Sequence, residues 1–150
     1  MAGAVSGDGV AGELTPEGHV LPVRVYHEDT DFTGVVYHGS FVRFFERGRS
    51  DFLRLAGVSM TALDRDGLHF VVAEMALKFR RAAVFDDLLK IVTTPAELTA
   101  ARAVLRQTAR RGAETLVSAE VTVALVGSGG RPARFPSSVS ALLRPFVTAG

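Results

Sequence analysis

Three acidic residues and two histidines are concentrated in one short stretch of the chain, residues 27–38. Asp29 and Asp31 stand two positions apart in its first half, and His38 closes it. A carboxylate in such a place can attack a carbonyl carbon as a nucleophile, or it can activate a water molecule as a general base. Aspartates also commonly cap turns and helices, so the spacing alone leaves a purely structural role open.

The elements on either side of this stretch determine what the carboxylates can reach. Residues 20–27 alternate in polarity like a strand, and residues 38–56 place Phe41, Phe45 and Phe52 at helical spacing. A helix N-terminus presents unpaired backbone N–H groups and the positive end of the helix dipole, and both can hold a developing oxyanion. A strand, a loop and a helix in this order therefore favour an acyl-transfer site.

Metal binding is the main chemical alternative for the same stretch. If Asp29 is the first ligand of a calcium loop, Asp31 and Gly34 fall at the third and sixth positions, as an EF-hand requires. The twelfth position needs a bidentate Glu, but Ser40 stands there. A site built from the two histidines and the two aspartates matches no standard ligand spacing. The chain has no cysteine, which excludes thiolate ligands and a thiol nucleophile.

The rest of the chain is mostly strand-like. Apolar residues alternate with polar ones over residues 71–80, 88–94, 101–110 and 115–125, although the Ala and Arg content of the third segment also allows a helix. Gly57 is a natural end for the long helix, and Ser59 is a suitable N-cap for a short helical turn over residues 59–66. Residues 137–144 fit a strand or a helix. This order predicts an α+β hotdog fold, in which an antiparallel sheet of five to six strands wraps around one long helix.

Length and charge exclude several classes of protein. The chain has 150 residues, with 17 basic and 16 acidic side chains and a net charge of +1, so nucleic acid is not an expected partner. Residues 1–18 are rich in Gly and Ala and contain no Lys or Arg, which predicts a flexible tail before a domain at residues 19–147. Without a secretory signal, a membrane-spanning apolar run or any cysteine, we expect a cytoplasmic protein with no membrane insertion.

A family resemblance adds to these inferences. Residues 23–49 resemble the signature of the 4-hydroxybenzoyl-CoA thioesterase family, and more closely its Tol-Pal-associated acyl-CoA thioesterases. The similarity is dense over residues 23–57 and continues more loosely through Phe70-Val-Val, Phe85-Asp-Asp-Leu-Leu and Arg131-Pro-Ala-Arg-Phe-Pro. It implies a hotdog enzyme that hydrolyses an acyl-CoA thioester, forms homodimers or homotetramers, has its active sites at the dimer interface and uses no metal or organic cofactor.

The resemblance also implies roles for particular residues. Asp31 aligns with the catalytic carboxylate, acting as nucleophile or general base, and the backbone N–H of His38 aligns with the group that polarises the thioester carbonyl. The Tyr37 side chain would shape the pocket. Coenzyme A carries phosphates, for which Arg131 and Arg134 are candidate ligands. An acyl-carrier protein is the alternative carrier of the acyl group.

Two features qualify this interpretation. Phe32 stands where small residues are common in the family, which affects the expected choice of acyl group. Glu46 lies on the helix, where other hotdog thioesterases place their catalytic carboxylate; here we expect it to form an ion pair with an arginine such as Arg47, Arg49 or Arg24. The alternative to an enzyme is a hotdog scaffold that binds an acyl group or a partner without catalysis, because a fold does not determine a function.

Overall fold

One long helix packs against a seven-stranded antiparallel sheet in the computed structural model, which describes residues 9–147. The strands are β1 (Glu13–Thr15), β2 (Gly18–Arg24), β3 (His69–Phe79), β4 (Leu88–Leu98), β5 (Arg102–Arg111), β6 (Glu114–Val126) and β7 (Pro132–Ala133). The helices are α1 (His38–Ala56), α2 (Met60–Arg65) and α3 (Ser137–Leu143). The sheet order is β1-β2-β4-β5-β6-β3, and β7 pairs with the end of β6. The α+β hotdog prediction is confirmed, and two short strands, β1 and β7, enlarge the sheet beyond the predicted five to six strands.

Helix α1 begins and ends where its sequence pattern predicts. Its apolar face is buried against the sheet, and Phe44, Phe45 and Phe52 are almost fully inaccessible to solvent. The helix ends at Gly57, which adopts a left-handed conformation (φ 103°) and donates its N–H to the carbonyl groups of the last turn. After it, the Ser59 hydroxyl accepts a hydrogen bond from the Ala62 N–H and caps α2.

A buried polar network joins the middle of α1 to the sheet. The Gln107 amide donates to the Phe45 carbonyl oxygen (2.9 Å) and to the Thr93 hydroxyl (2.8 Å). Its own oxygen accepts a hydrogen bond from the Arg49 guanidinium at 3.1 Å. Gly48 permits this close approach, because a Cβ at that position would lie 2.9 Å from the Ile91 methyl carbon Cγ2.

Strand β3 forms one edge of the sheet and contains an irregularity that its sequence does not reveal. Its alternation predicts one continuous apolar face from Val71 to Phe79. The pairing with β6 instead shifts register between Val72 and Glu74. As a result, Phe70 before the shift and Met75 after it both pack against the core. In an uninterrupted strand, an even-numbered and an odd-numbered residue would instead face opposite sides of the sheet.

In two segments the structure decides between alternatives that the sequence left open, and in a third it adds a strand that the sequence did not predict. Residues 101–110 form strand rather than helix, and residues 137–144 are mainly helical. Strand β1 pairs with β2 through contacts such as Glu13 with Val20, so the sheet begins inside the segment expected to be a tail. Residues 1–8 of that segment lie outside the described residues. Within residues 9–147, no helix is both long and apolar enough to cross a bilayer.

Candidate active site

Asp29 stabilises the loop that precedes α1. It is 4% exposed, and its carboxylate accepts a hydrogen bond from the Tyr26 N–H at 2.8 Å. Its backbone oxygen accepts from the Tyr37 N–H at 2.9 Å and from the Ser40 hydroxyl at 3.0 Å. Arg43 approaches the same carboxylate at 3.7 Å. Asp29 therefore fixes the start of the helix relative to the loop.

Asp31 stands at a tight turn and is partly exposed to solvent. Its Oδ1 atom accepts hydrogen bonds from the Thr33 hydroxyl (2.5 Å) and the Thr33 N–H (2.8 Å). The turn closes through a hydrogen bond from the Gly34 N–H to the Asp31 carbonyl oxygen, with Gly34 at φ 88°. The hydrogen bonds from Thr33 lower the pKa of Asp31 below its usual range, because they stabilise the charged form. The carboxylate is ionised at neutral pH, and its Oδ2 atom accepts no hydrogen bond within residues 9–147.

The N-terminus of α1 lies directly after this turn. The Ser40 N–H is bonded to the Tyr37 carbonyl oxygen, whereas the N–H groups of His38 and Gly39 have no acceptor within the described part of the chain. The Tyr37 ring folds beside them and lies 4.4 Å from the His38 ring. A Cβ on Gly39 would come within 2.6 Å of the Tyr37 ring, so only glycine leaves this arrangement undisturbed.

A shallow cavity of about 300 Å³ opens beside the start of α1. Phe79, from the end of β3, forms part of its wall and contacts the rings of His38 (6.3 Å between centroids) and Phe41 (6.1 Å). The other lining residues are Val36, Arg80, Arg81 and Ala82. Within one protomer, the site is therefore an open depression rather than an enclosed pocket.

Not every residue singled out in the sequence lies near Asp31. Tyr37 and His38 share its loop, but Arg131 and Arg134 flank β7, which pairs with β6 at Leu125 and Val126. Phe79 pairs with Val117, nine residues away on β6, a separation of about 30 Å along the strand. Within one protomer the two arginines are thus remote from the loop.

The ion pair expected for Glu46 is absent, so that prediction is wrong. Its carboxylate accepts a hydrogen bond from the Ser50 hydroxyl at 2.8 Å, and no cationic side chain of residues 9–147 comes within 4 Å of it. Arg49 is directed inward to Gln107 instead. The His27 ring stacks on the Phe85 ring, with 3.8 Å between the two centroids. In residues 9–147, no group of three or more His, Asp or Glu side chains could hold a metal ion.

Comparison with known proteins places this architecture in a family. Residues 25–143 match the model of the thioesterase-like superfamily. The chain belongs to this superfamily. It is 42% identical to the acyl-CoA thioesterase YbgC of Haemophilus influenzae over 130 residues, which cover 85% of this chain and 96% of that protein. It is 39% identical to the acyl-CoA thioester hydrolase YbgC of Escherichia coli O6:H1, covering 80% and 91%.

Solved structures of thioesterases agree with this assignment. A probable thioesterase from Bartonella henselae superimposes with a TM-score of 0.76 at 44% identity, covering 79% of this chain and 99% of that chain. The Dynemicin thioesterase gives a TM-score of 0.81 at 20% identity, covering 89% and 99%, which establishes a common fold. The chain is therefore a thioester hydrolase with a hotdog fold.

Three further residues of this thioesterase belong to the candidate site and were not singled out from its sequence. Thr33 supplies both hydrogen bonds to the Asp31 side chain, and the pattern of Asp followed two residues later by Thr is a signal that would have indicated such a turn. Gly39 accommodates the Tyr37 ring, and glycine in the first turn of a helix is a weaker signal. Phe79 joins the site from a distant strand, for which the sequence carries no local signal.

Proposed function

We propose that this protein is an acyl-CoA thioesterase in which Asp31 performs the chemistry. The observation that carries the proposal is the ionised Asp31 carboxylate beside the His38 and Gly39 N–H groups, which have no acceptor within residues 9–147. The relatives named acyl-CoA thioesterases match most of both chains, which supports coenzyme A as the carrier. The Tol-Pal-associated subgroup and a cytoplasmic location belong to the same proposal, and an acyl-carrier protein is the alternative carrier.

The geometry supports two routes to the same products. The Oδ2 atom of Asp31 attacks the thioester carbonyl, the coenzyme A thiolate leaves and takes up a proton, and water then hydrolyses the mixed anhydride. Alternatively, Asp31 removes a proton from water, whose oxygen adds to the carbonyl before the thiolate leaves. In both routes the N–H groups of His38 and Gly39 hold the oxyanion. In a single turnover in ¹⁸O-labelled water, label found in Asp31 identifies the anhydride route, because only hydrolysis of an anhydride at its aspartyl carbon leaves the label there.

We further propose that the active unit is a homodimer formed through β3. This edge strand has 11 residues and exposes Val71, Val72 and Phe79, and a long exposed apolar edge is a template for pairing with another chain. Phe32, which is fully exposed beside Asp31, adds apolar surface near the Phe79 end of β3. Antiparallel pairing about a two-fold axis near Glu74 would set residues 69–72 of one copy opposite residues 76–79 of the other. Two such dimers could associate into the tetramer that is common in the family.

This pairing would also give Arg131 and Arg134 a role. They lie toward the His69 end of the sheet edge, so the second copy would carry its own pair toward the Asp31 loop of the first. There they could bind the phosphates of coenzyme A, as the sequence suggests. Replacing both arginines with Gln is expected to raise KM for acyl-CoA more than it lowers kcat.

The decisive experiment measures thiol release from a panel of short, long and aromatic acyl-CoAs, together with an acyl-carrier protein thioester. Asp31→Asn is expected to lower kcat by about 10²–10⁴-fold, because it removes the nucleophile or base while preserving the side-chain shape. Glu28→Gln, an exposed change in the same loop, serves as the matched control. Near-normal hydrolysis by Asp31→Asn would overturn the assignment of Asp31. If the wild type releases thiol from no substrate, a non-catalytic binding scaffold is the better interpretation.

A further inference from the structure

Arg111 joins two segments at the end of the sheet that carries the Asp31 loop. Its guanidinium donates to the Asp87 carboxylate at 2.7 Å and to the Ala82 carbonyl oxygen at 3.3 Å, both in the segment between β3 and β4. Its other terminal nitrogen donates to the Glu114 carboxylate, at the start of β6, at 3.0 Å. A planar guanidinium suits this arrangement, because its donors point in fixed directions and reach several acceptors at once. Arg111 therefore fixes the segment between β3 and β4 to the β5–β6 hairpin.

The segment that Arg111 holds, residues 80–87, depends on such contacts for its conformation. Within residues 9–147, Asp86 is the only non-glycine residue with a left-handed backbone (φ 73°), which is unfavourable for a residue that carries a Cβ. The Asp87 carboxylate stabilises the turn around it by accepting a hydrogen bond from the Val84 N–H at 2.9 Å. The same carboxylate oxygen accepts the hydrogen bond from Arg111. The guanidinium therefore holds the acceptor on which the turn depends.

Backbone hydrogen bonds connect this segment to both halves of the candidate active site. The Val36 N–H donates to the Ala83 carbonyl oxygen at 2.8 Å, and Val35 pairs with the next residue of the segment in an isolated bridge. The Asp31 N–H in turn donates to the Val35 carbonyl oxygen at 2.9 Å. His38 follows Val36 by two residues and begins α1. The segment therefore supports the turn that bears the Asp31 carboxylate as well as the N–H groups at the start of the helix.

Arg111 contacts a residue of the site without belonging to it. Ala82 lines the depression beside the start of α1, whereas Arg111 is not among the residues of 9–147 that line it. We propose that Arg111, acting through Asp87, is a positioning residue for thioester hydrolysis, because it keeps the His38 N–H at the separation from Asp31 that the reaction requires. The inference rests on the proposed thioesterase function. A displacement of about 1 Å in reacting groups can lower a rate by about 10²-fold, so a small shift of the segment would be evident in kcat.

The test compares kcat and KM of Arg111→Met with those of the wild type, on the acyl-CoA that the wild type hydrolyses fastest. The variant is expected to lose at least about tenfold in kcat with less than about a threefold change in KM, because the groups that act on the carbonyl are displaced while the lining of the depression is retained. Arg106→Met, on the same strand, is the matched control. Its pair with Glu120 is 3.8 Å long and more than half exposed, so both constants should stay within about twofold of the wild type. Rates are measured where thermal melts show each variant to be folded, so a role confined to stability would leave kcat unchanged and would overturn the proposal.

Amide hydrogen exchange measures the same displacement without catalysis. In Arg111→Met, the N–H groups of Val36 and Asp31 should exchange at least about tenfold faster than in the wild type, whereas that of Leu105, in the middle of β5, should keep its protection. Unchanged exchange at Val36 and Asp31 would refute the positioning role. If the wild type releases thiol from no substrate but exchange at both groups rises in the variant, the proposed function has failed while Arg111 still positions the loop.

Further variants test the connection through Asp87. Arg111→Lys retains the charge but not the fork of donors, so its kcat should lie between those of Arg111→Met and the wild type. Asp87→Asn breaks the connection from the other side, although its amide oxygen can still accept from the Val84 N–H. It should lower kcat as much as Arg111→Met, and it keeps the proposal testable if that variant does not fold. The double variant should be less than about threefold slower than the slower single variant, because both changes remove one interaction. Losses that multiply, or a normal kcat in Asp87→Asn, would contradict the proposal.

Discussion

The buried Gln107 should be one of the most important polar residues for stability. It is 1% exposed, and it connects Arg49, Thr93 and the Phe45 carbonyl oxygen through three hydrogen bonds of 2.8 to 3.1 Å. Gln107→Leu preserves much of the side-chain volume and removes all three. The hydrogen bond to the charged Arg49 guanidinium is worth about 1.5–3 kcal/mol. Because the desolvated groups of Arg49, Thr93 and Phe45 would be left without this partner, the expected loss in the free energy of unfolding is about 3–5 kcal/mol.

Urea denaturation at a fixed protein concentration measures this loss as a change in the free energy of unfolding. Arg106→Leu, on the same strand but more than half exposed, is the control and should change stability by less than about 1 kcal/mol. The double variant Gln107→Leu/Arg49→Met should be more stable than the sum of the single changes predicts, by at least about 1 kcal/mol, because no guanidinium is then left unpaired. A loss below about 1 kcal/mol for Gln107→Leu would refute the reasoning.

Three further predictions concern the loop and the N-terminal hairpin. Thr33→Val should move the acidic limb of the kcat/KM profile to higher pH, because the pKa of Asp31 loses the hydroxyl that lowers it, and Thr33→Ser should restore the wild-type limb. Gly39→Val should displace the Tyr37 ring and lower kcat/KM at least tenfold with a small change in Tm; wild-type kinetics would argue against a role for the ring. Burial lowers the pKa of His19 below 6.5, so native His19 is neutral and the unfolded chain takes up the proton first. Stability should therefore decline as the pH falls from about 6.5 through the lowered pKa, and thermal melts of His19→Gln should show a weaker decline.

Local sequence patterns were sufficient to predict the elements whose structure depends on residues close together in the chain. The helix over residues 38–56 has the predicted bounds, because an apolar face at helical spacing and a glycine at the end act within a few residues. The strand segments follow alternation in the same way, although the bounds of several shift by a few residues. The loop with Asp29 and Asp31 was evident from residue types, and the family resemblance selected Asp31 from among its acids.

Features that depend on contacts between residues far apart in the chain could be seen only in the folded structure. The register shift in β3 depends on its pairing with β6, and short strand β1 exists because β2 offers an edge to it. Glu46 and Arg49 look like an ion pair in the sequence, but Gln107, 58 residues beyond Arg49, draws the guanidinium inward.

The sequence by itself determined the fold class and the long helix, because periodicity and turn chemistry are local properties, and the family resemblance pointed to Asp31 as the carboxylate on which we base the chemistry. Only the tertiary structure separated Arg131 and Arg134 from the loop within a protomer, brought Phe79 beside the start of α1, and formed a cavity with a charged wall at the far end of β3. These features arise from strand order and side-chain packing, which join residues that lie far apart in the chain.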